Sequence, residues 1–561
     1  MIAIQKNIFQ KYHRPLFYAA WLAVLLIQSL TTELFDDEAY YWVYSRFLDW
    51  GYYDHPPMIA ALIKAGYAIF PNALGVRILS AILTTGALFL AELLLAKENA
   101  VLFYAICCTL AIAQIGGMMA VPDSPLMFFV ALFFYSYHRF TQKMNFANTV
   151  FLGICMALML YTKYQAVLII LFTALSNLGL FKKYQSYVAA LIAVLLFLPH
   201  LNWQAAHDFP SVQFHLFERN SQEYNFFNTI DYIVGQVLLA GPVTGWLLMW
   251  AAIKYKPLSE TDRALKYSLI GIYLFFLVST LKGKAEANWT IPAFIGLIIL
   301  SHGYLSQHEG LRRILYKTVP LTLVIVFAGR GIMMIDLPPA WWIFKDEFHG
   351  NAINTAEIRQ RSENLPVVFV NSYQKPSKYW FYSGDTAFSL NTPKYRRNNF
   401  NFWPVEDSLF GREAYVIGDY KDSLFTERFT SLRLNTSAGK RVSGYYSFSR
   451  VLLFDVDVVR RDSNKFSISF KSASPVTYLP LFQQSPYDTA QVYLAVFSGD
   501  SLMKYHPVSM TVKDIMMADQ HHIVSTDPQL PNGKYRCKLA ISSCVPGHPS
   551  LNSTGFTLSV K

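Results

Sequence analysis

The sequence predicts an α-helical polytopic membrane protein of about eleven spans, followed by an extracytoplasmic α/β region and then an all-β region. Three observations predict it. The 561 residues are 53% hydrophobic and 16% aromatic but only 15% charged, with a mean hydropathy of +0.26, whereas a soluble domain carries about 25% charged residues. Up to about residue 335 the apolar residues gather into runs of 15–25 residues, each long enough to cross about 30 Å of hydrocarbon as a helix. Beyond 336 the runs shorten and begin to alternate, as strands do. This composition argues against disorder and against an ordinary soluble enzyme.

The apolar runs lie near 15–32, 74–96, 99–119, 125–140, 146–162, 165–181, 187–203, 231–253, 267–281, 289–304 and 318–335. Lys6, Lys11 and Arg14 precede the first run, but no small-residue cleavage site follows it, so it reads as a span and not as a cleaved signal. Basic residues recur in alternate loops: Lys97, Arg139 with Lys143, Lys182 with Lys183, Lys254 to Lys266, and Arg312 to Lys317. The positive-inside rule places these in the cytoplasm. The net charge of +11 is therefore a loop signal, not a nucleic-acid stripe. The opposite loops, 33–73, 120–124, around 163, 204–230 and 282–288, are richer in Asp, Glu, His, Trp and Asn. An odd number of spans across the cell inner (plasma) membrane is expected to put the N-terminus in the cytoplasm and the C-terminal domains outside.

The transmembrane domain is expected over 1–335. An α/β domain over 336–457 carries strand-like runs at Pro366–Val370 and Ala414–Ile417. A β-sandwich-like domain over 458–561 carries the alternating runs FSISF, QVYLAVF, GKYRCKLAI and GFTLSV. Cys107, Cys108 and Cys155 lie within apolar runs, while Cys537 and Cys544 are close enough in sequence to pair in an oxidising compartment.

The richest chemistry follows the first span. Glu33, Asp36, Asp37 and Glu38 crowd into six residues, followed by Tyr40, Tyr41 and Trp42, then Tyr52-Tyr53-Asp54-His55-Pro56-Pro57. Carboxylates this close repel one another, and burial raises their pKa values. Such a cluster serves as a proton acceptor, a metal ligand or an ion site, or is a solvated loop at the membrane exit. The interleaved aromatics weigh against the plain loop, since they suit either an interface belt or the faces of sugars. Asp54-His55 can join a divalent metal or donate to a phosphate, but no HxxxH or HExxH spacing supports a metal site. Mid-span charge is scarce, with Arg330 the main exception.

The stretch Asp36–Trp42 followed by Tyr53–Pro57 resembles the first external loop of GT-C fold polytopic glycosyltransferases, in the branch of the lipid A aminoarabinose transferases and, more distantly, the protein O-mannosyltransferases. Asp37-Glu38 occupies the place of that superfamily's Asp-Glu motif. Val121-Pro122-Asp123-Ser124-Pro125 is similar to its second external loop, and Tyr161-Thr162-Lys163-Tyr164 to its third. Pro199–Trp203 with His207 and His215, and Lys282–Trp289, resemble later loops. Asn371-Ser372-Tyr373 with Arg396-Arg397-Asn398 resembles the start of the soluble tail. The likeness is good over 30–300 and weak over 365–404. The β-rich end matches nothing.

The resemblance implies transfer of a sugar from a polyprenyl phosphate to an acceptor hydroxyl of a lipid, envelope glycan or protein, at the outer leaflet. It implies Asp37 as base, with Glu38 and Asp123 as positioning groups or a substitute base; an N-cap role is the alternative for Asp123. Departing phosphate needs fixed cations, for which Lys163, Lys282, Lys284, Arg46 and His55 are candidates; snorkelling at the interface is the alternative for each. Asp54, Tyr53 and Tyr373 complete the expected substrate contacts. No obligatory cofactor or metal is expected, although a divalent metal occurs in some GT-C enzymes. A single base implies inversion at the anomeric carbon. Two rival functions are a transporter or flippase and a non-catalytic scaffold. The absence of a visible repeat weighs against the first, and the crowding of acidic, aromatic and basic residues into one set of loops against the second.

Overall fold

The computed structural model describes residues 2–96, 99–218, 224–336, 347–430, 436–461, 465–517 and 521–560; Lys97 lies outside them. The chain forms two compact units, Met1–His349 and Gly350–Lys561.

The first unit is helical: α1 (Ile2–Thr31), α2 (Asp36–Arg46), α3 (Met58–Ile69), α4 (Ala73–Leu93), α5 (Ala100–Thr109), α6 (Ala111–Ile115), α7 (Asp123–Gln142), α8 (Phe146–Leu160), α9 (Ala166–Ser176), α10 (Tyr184–Ala206), α11 (Pro210–Gln213), α12 (Phe226–Ala240), α13 (Gly245–Lys254), α14 (Glu260–Ser279), α15 (Phe294–Gln307) and α16 (Glu309–Met334). Each apolar run of the sequence falls on one helix or on two joined at a bend. Among the described residues five helices are long and apolar enough to cross a membrane alone, and seven spans result if the bent pairs α5–α6 (78°) and α12–α13 (91°) each count as one. Two helices, α2 and α3, occupy the loop after the first span. Asparagine side chains cap α4, α5, α8 and α12, taking up amides that the first turn leaves open.

The bends have local causes. Leu110, between α5 and α6, is extended, which ends one ladder of hydrogen bonds before the next begins. Gly241, between α12 and α13, has φ of +146°, and a Cβ there would meet Thr244 Oγ1 at 2.3 Å and the Thr109 carbonyl at 2.8 Å. Only glycine fits that backbone, so the two bends pack against each other. The core of the unit is one apolar cluster drawn from α1, α4, α5, α7–α9 and α13–α15, with Leu25, Leu88, Phe103, Phe134, Leu248 and Phe294 among its members.

The second unit opens with α17 (Asn351–Arg361), β1 (Val367–Val370), α18 (Gln374–Ser383), β2 (Ala387–Leu390), β3 (Ala414–Gly418), β4 (Glu427–Thr430) and β5 (Thr436–Val442). The strand order is β2-β1-β3-β5-β4, parallel over the first three and antiparallel at the other edge. β6 (Leu452–Arg460), β7 (Phe466–Ala473) and β10 (His521–Thr526) form a three-stranded sheet; β8 (Gln491–Ser498), β9 (Ser501–Thr511), β11 (Gly533–Ile541), β12 (Ser550–Leu551) and β13 (Phe556–Val560) form a five-stranded one. Inward residues of both sheets, such as Ile468, Phe470, Leu494 and Leu539, share one core, as in a sandwich. The sheet change comes at β6, before residue 457.

Cys537 and Cys544 are not paired, contrary to the expectation from their spacing. Cys537 faces the apolar core of β11, while Cys544 lies past the strand end and its sulfur accepts the Tyr446 amide. Burial pushes both thiols up, to about 12 and about 11, so neither is a ready thiolate.

Candidate active site

Four loops of the first unit meet at one end of the helix bundle. Their meeting is organised by two buried ion pairs. α2 begins with Asp36, Asp37 and Glu38 in its first turn, where the helix dipole favours acids. Glu38 turns back to accept the Phe35 amide at 3.0 Å and is fully buried. Arg77, the fifth residue of α4, donates to both its oxygens, at 2.7 and 2.5 Å. The remaining guanidinium hydrogens go to the carbonyls of Ser29 (3.3 Å), Thr32 (2.6 Å) and Glu33 (2.8 Å). Glu38 Oε1 also accepts the Ala120 amide at 2.8 Å. One pair thereby ties together the end of α1, the start of α2, α4 and the second loop.

The other pair joins Lys163 Nζ to Asp123 Oδ1 at 2.7 Å, with side chains 5% and 6% exposed. Asn288 Nδ2 donates to Asp123 Oδ2 at 3.0 Å. Asp123 stands in the first turn of α7 without capping it; its carboxylate reaches across to the third loop and to the 282–288 loop instead.

A third cluster surrounds Asp54. Its carboxylate accepts the Tyr44 hydroxyl in a short hydrogen bond, and its carbonyl meets His215 Nε2 at 2.9 Å. Burial, then the Asp54 charge, pushes the Tyr44 hydroxyl well up. Burial does the same to Tyr164, with Asp54 again contributing. The Tyr164 hydroxyl donates to Ser211 at 2.9 Å and meets His200 Nε2 at 3.1 Å. His200 Nδ1 in turn meets the Trp50 carbonyl at 2.7 Å. Gly51 packs so closely on Trp203 that a Cβ would fall 2.4 Å from the indole. The Met58 amide, bonded to the Tyr161 carbonyl at 3.1 Å, closes the first loop onto the third.

The expected residues are thus partly gathered. Asp37 is half-buried one residue before the saturated Glu38. His55 lies 5.5 Å from the Tyr41 ring and 6.3 Å from His215. Tyr53 departs from the expectation of a sugar-stacking face: it is 2% exposed, with its ring 5.2 Å from Phe214, and Tyr40, Tyr41, Trp42 and Tyr52 are buried with it. Burial of these rings converts the aromatic stretch into the core of the loop. Arg46 is exposed at the far end of α2, beside Trp42. Lys282 and Lys284 are exposed, and the 3.4 Å contact of Lys284 with Glu286 is a surface pair of small worth. Tyr373 belongs to the second unit, after β1, with Arg396 stacked 4.7 Å from its ring. Among the described residues no group of three or more His, Cys, Asp or Glu side chains is arranged to hold a metal.

Sequence reasoning missed Arg77, Tyr44 and Asn288. Arg77 had a signal: it is a charge near the start of a largely apolar span, and such a residue in a membrane bundle has a partner.

Residues 54–203 match the family model for dolichyl-phosphate-mannose-protein mannosyltransferases. A lipid A galacturonosyltransferase, RgtD, of Rhizobium johnstonii is 26% identical over 317 residues, covering 53% of this chain and 66% of the relative. The crystal structure of ArnT from Cupriavidus metallidurans bound to undecaprenyl phosphate superposes with a TM-score of 0.56 at 13% identity, over 76% of this chain and 97% of that one. Its apo form gives 0.56 and 13% over 77% and 98%. The chain has the GT-C fold. In this GT-C bundle the matched family segment begins at Asp54 and runs through Asp123 and Lys163 to Trp203. It therefore contains one complete ion pair together with Asp54, Tyr164, His200 and Trp203 of the third cluster, while Asp37, Glu38 and Tyr44 precede it and Ser211 and His215 follow it.

Proposed function

We propose that the chain is a membrane glycosyltransferase that moves a sugar from a polyprenyl-phosphate donor to a hydroxyl of a lipid, an envelope glycan or a protein at the outer face of the inner membrane. The observation that carries the reading is the joining of loops 33–73, 120–124, 161–165 and 282–288 by two buried ion pairs on a GT-C bundle. Burying such pairs costs more than apolar packing of the same volume, so their presence at the loop junction supports a site held in a fixed geometry. The galacturonosyltransferase relative makes galacturonic acid the first sugar to test.

The acceptor oxygen attacks C1, Asp37 takes the hydroxyl proton, and the C1–O bond to phosphate breaks with oxocarbenium character. The electron pair leaves on the polyprenyl phosphate. Glu38 and Asp123 are engaged by Arg77 and Lys163, which supports their assignment as positioning groups; Asp37 is taken as the base on the first-loop resemblance. Lys163, Arg46, His55, Lys282 and Lys284 are the candidates to meet the phosphate, with the charge of Lys163 shared with Asp123. One displacement with one base inverts the anomeric carbon.

The test uses the purified full chain in lipid nanodiscs with polyprenyl-phosphate galacturonic acid and outer-membrane lipid A. Asp37→Asn is expected to lower kcat by about 10²–10⁴-fold, the range of a lost general base. A native rate from that variant would refute the base assignment, and a product of retained configuration by NMR would refute inversion. A second reading, a transporter or flippase, is favoured by one observation: the bends of α5–α6 and α12–α13 meet at Gly241, and broken spans are a transporter feature. Consumption of no lipid-linked sugar, with passage of lipid across vesicles, would decide for it.

A further inference from the structure

Arg330 lies one turn from the end of α16 and is 3% exposed. Its guanidinium donates to Gln28 Oε1 of α1 at 2.5 Å, to Gln114 Oε1 of α6 at 3.1 Å, and to the Gln114 carbonyl in a short hydrogen bond. Among the described residues no carboxylate pairs with it. Arg77 and Lys163, also buried in this unit, each have one. An uncompensated cation buried in a membrane bundle costs several kcal/mol, so the neutral groups it grips matter to the fold or to the site.

Those groups lead to the site. Gln114 closes the bend between α5 and α6: its amide donates to the Leu110 carbonyl at 3.0 Å and its side chain to the Cys108 carbonyl at 3.3 Å. Arg330 holds Gln114 from the other side. Ten residues later, Ser124 Oγ lies within hydrogen-bond distance of the carbonyls of Met119 (2.6 Å) and Gly116 (3.0 Å), its one hydrogen shared between them. Between them lie the Ala120 amide that reaches Glu38 and the start of α7 that carries Asp123. The other partner, Gln28, accepts the Thr32 amide at 3.0 Å, and the Thr32 carbonyl is held by Arg77. Both ion pairs therefore rest on segments that Arg330 fixes.

We propose that Arg330 is a positioning residue of the transferase site: by locking the α5–α6 bend through Gln114 it holds loop 119–124, with the Ala120 amide and Asp123, in register with Glu38 and Lys163. The inference rests on the glycosyltransferase reading, so its test has one arm that needs no activity. In that arm Val121, half-exposed in the loop, is replaced by cysteine, and its labelling by a water-soluble maleimide is followed by peptide mass spectrometry. Labelling is expected to be faster in Arg330→Met and in Gln114→Leu than in the parent, and near the parent rate in Arg330→Lys.

In the activity arm, with polyprenyl-phosphate galacturonic acid as donor, Arg330→Met is expected to lower kcat by about 10²-fold, the scale of a 1 Å misplacement, with the donor KM unchanged. Arg330→Lys is expected to recover most of it. Combined with Asp123→Asn, Arg330→Met is expected to add no further loss. A plain structural staple would lower the folded fraction while leaving kcat per folded molecule intact. Unchanged Val121→Cys labelling, unchanged kcat, or losses that multiply with Asp123→Asn would each overturn the proposal. A native protein that consumes no donor overturns the transferase reading instead, while the labelling arm still decides whether Arg330 sets the loop.

Discussion

The Glu38–Arg77 pair makes the sharpest quantitative demand of the structure. Arg77 donates five hydrogen bonds, two to Glu38 and three to carbonyls at the end of α1. Glu38 accepts two more from main-chain amides. Both side chains are fully buried. Arg77→Met strands a buried carboxylate, and Glu38→Leu strands a buried guanidinium; each is expected to cost about 3–5 kcal/mol. The double variant removes both charges and leaves only neutral carbonyls and amides without partners, at about 1–3 kcal/mol for each group that relaxation and water do not satisfy. The two losses should therefore fall short of additivity by about 2–3 kcal/mol, within the range seen for residues in contact. Unfolding of the full chain in mixed micelles, titrated with denaturing detergent and followed by tryptophan fluorescence, measures all four corners. Additive losses, within about 0.5 kcal/mol, would refute the reasoning, because they would mean that the two groups do not share one buried electrostatic contact.

Three further outcomes follow from the same physics. Lys163→Met leaves the Asp123 carboxylate with Asn288 alone, so the variant should lose stability and Lys163→Met with Asp123→Asn should regain part of it in the same titration; no recovery would contradict the pairing. In the second unit, burial raises the Glu406 carboxyl from 4.5 to about 7 despite bonds from Ser447, Tyr478 and the Ser449 amide. The native state thus holds this proton more tightly than the unfolded chain, so its contribution is full below pH 4.5 and is lost as pH rises through 7, by about 3 kcal/mol at 1.36 kcal/mol per pH unit. Protection factors for hydrogen exchange at 445–451, taken relative to the intrinsic rate at each pH, should rise on acidification in the native chain and change far less in Glu406→Gln, where the Tyr478 hydroxyl can turn to accept; equal pH responses would contradict this. Finally, sugar transfer by the native protein should survive exhaustive chelation with EDTA, and loss of activity restored by a divalent cation would reverse the expectation of no obligatory metal.

Much of the candidate site was legible because its signals are local. The Asp37-Glu38 pair, Asp54-His55, Asp123 and Lys163 stand out as polar residues beside apolar runs, and the run pattern itself shows that their loops share one end of the bundle. Which groups bond is a different matter. Glu38 was read beside Asp37 as a second acid, yet its partner is Arg77, 39 positions away, in a stretch that hydropathy marks only as a span. The aromatics between the carboxylates carry the same letters whether they face a sugar or each other, and their burial follows from α2 being enclosed on its sides by neighbours that no periodicity names. Cys537 and Cys544 failed as a pair for a similar reason: closeness along the chain says nothing of which way a strand turns its side chains.

The amino-acid order by itself determined the class of molecule, since desolvation of a helix-forming apolar run is decided residue by residue and needs no partner. It also determined where most polar groups could gather, because charge is scarce within the spans. Only the tertiary structure decided how charge is shared there. Ion pairing depends on separations of a few ångströms between segments far apart in the chain, and a Coulomb interaction across a low-dielectric junction is set by that distance alone. Thus Lys163 is matched to Asp123, Arg77 to Glu38, and Arg330 to no carboxylate among the described residues.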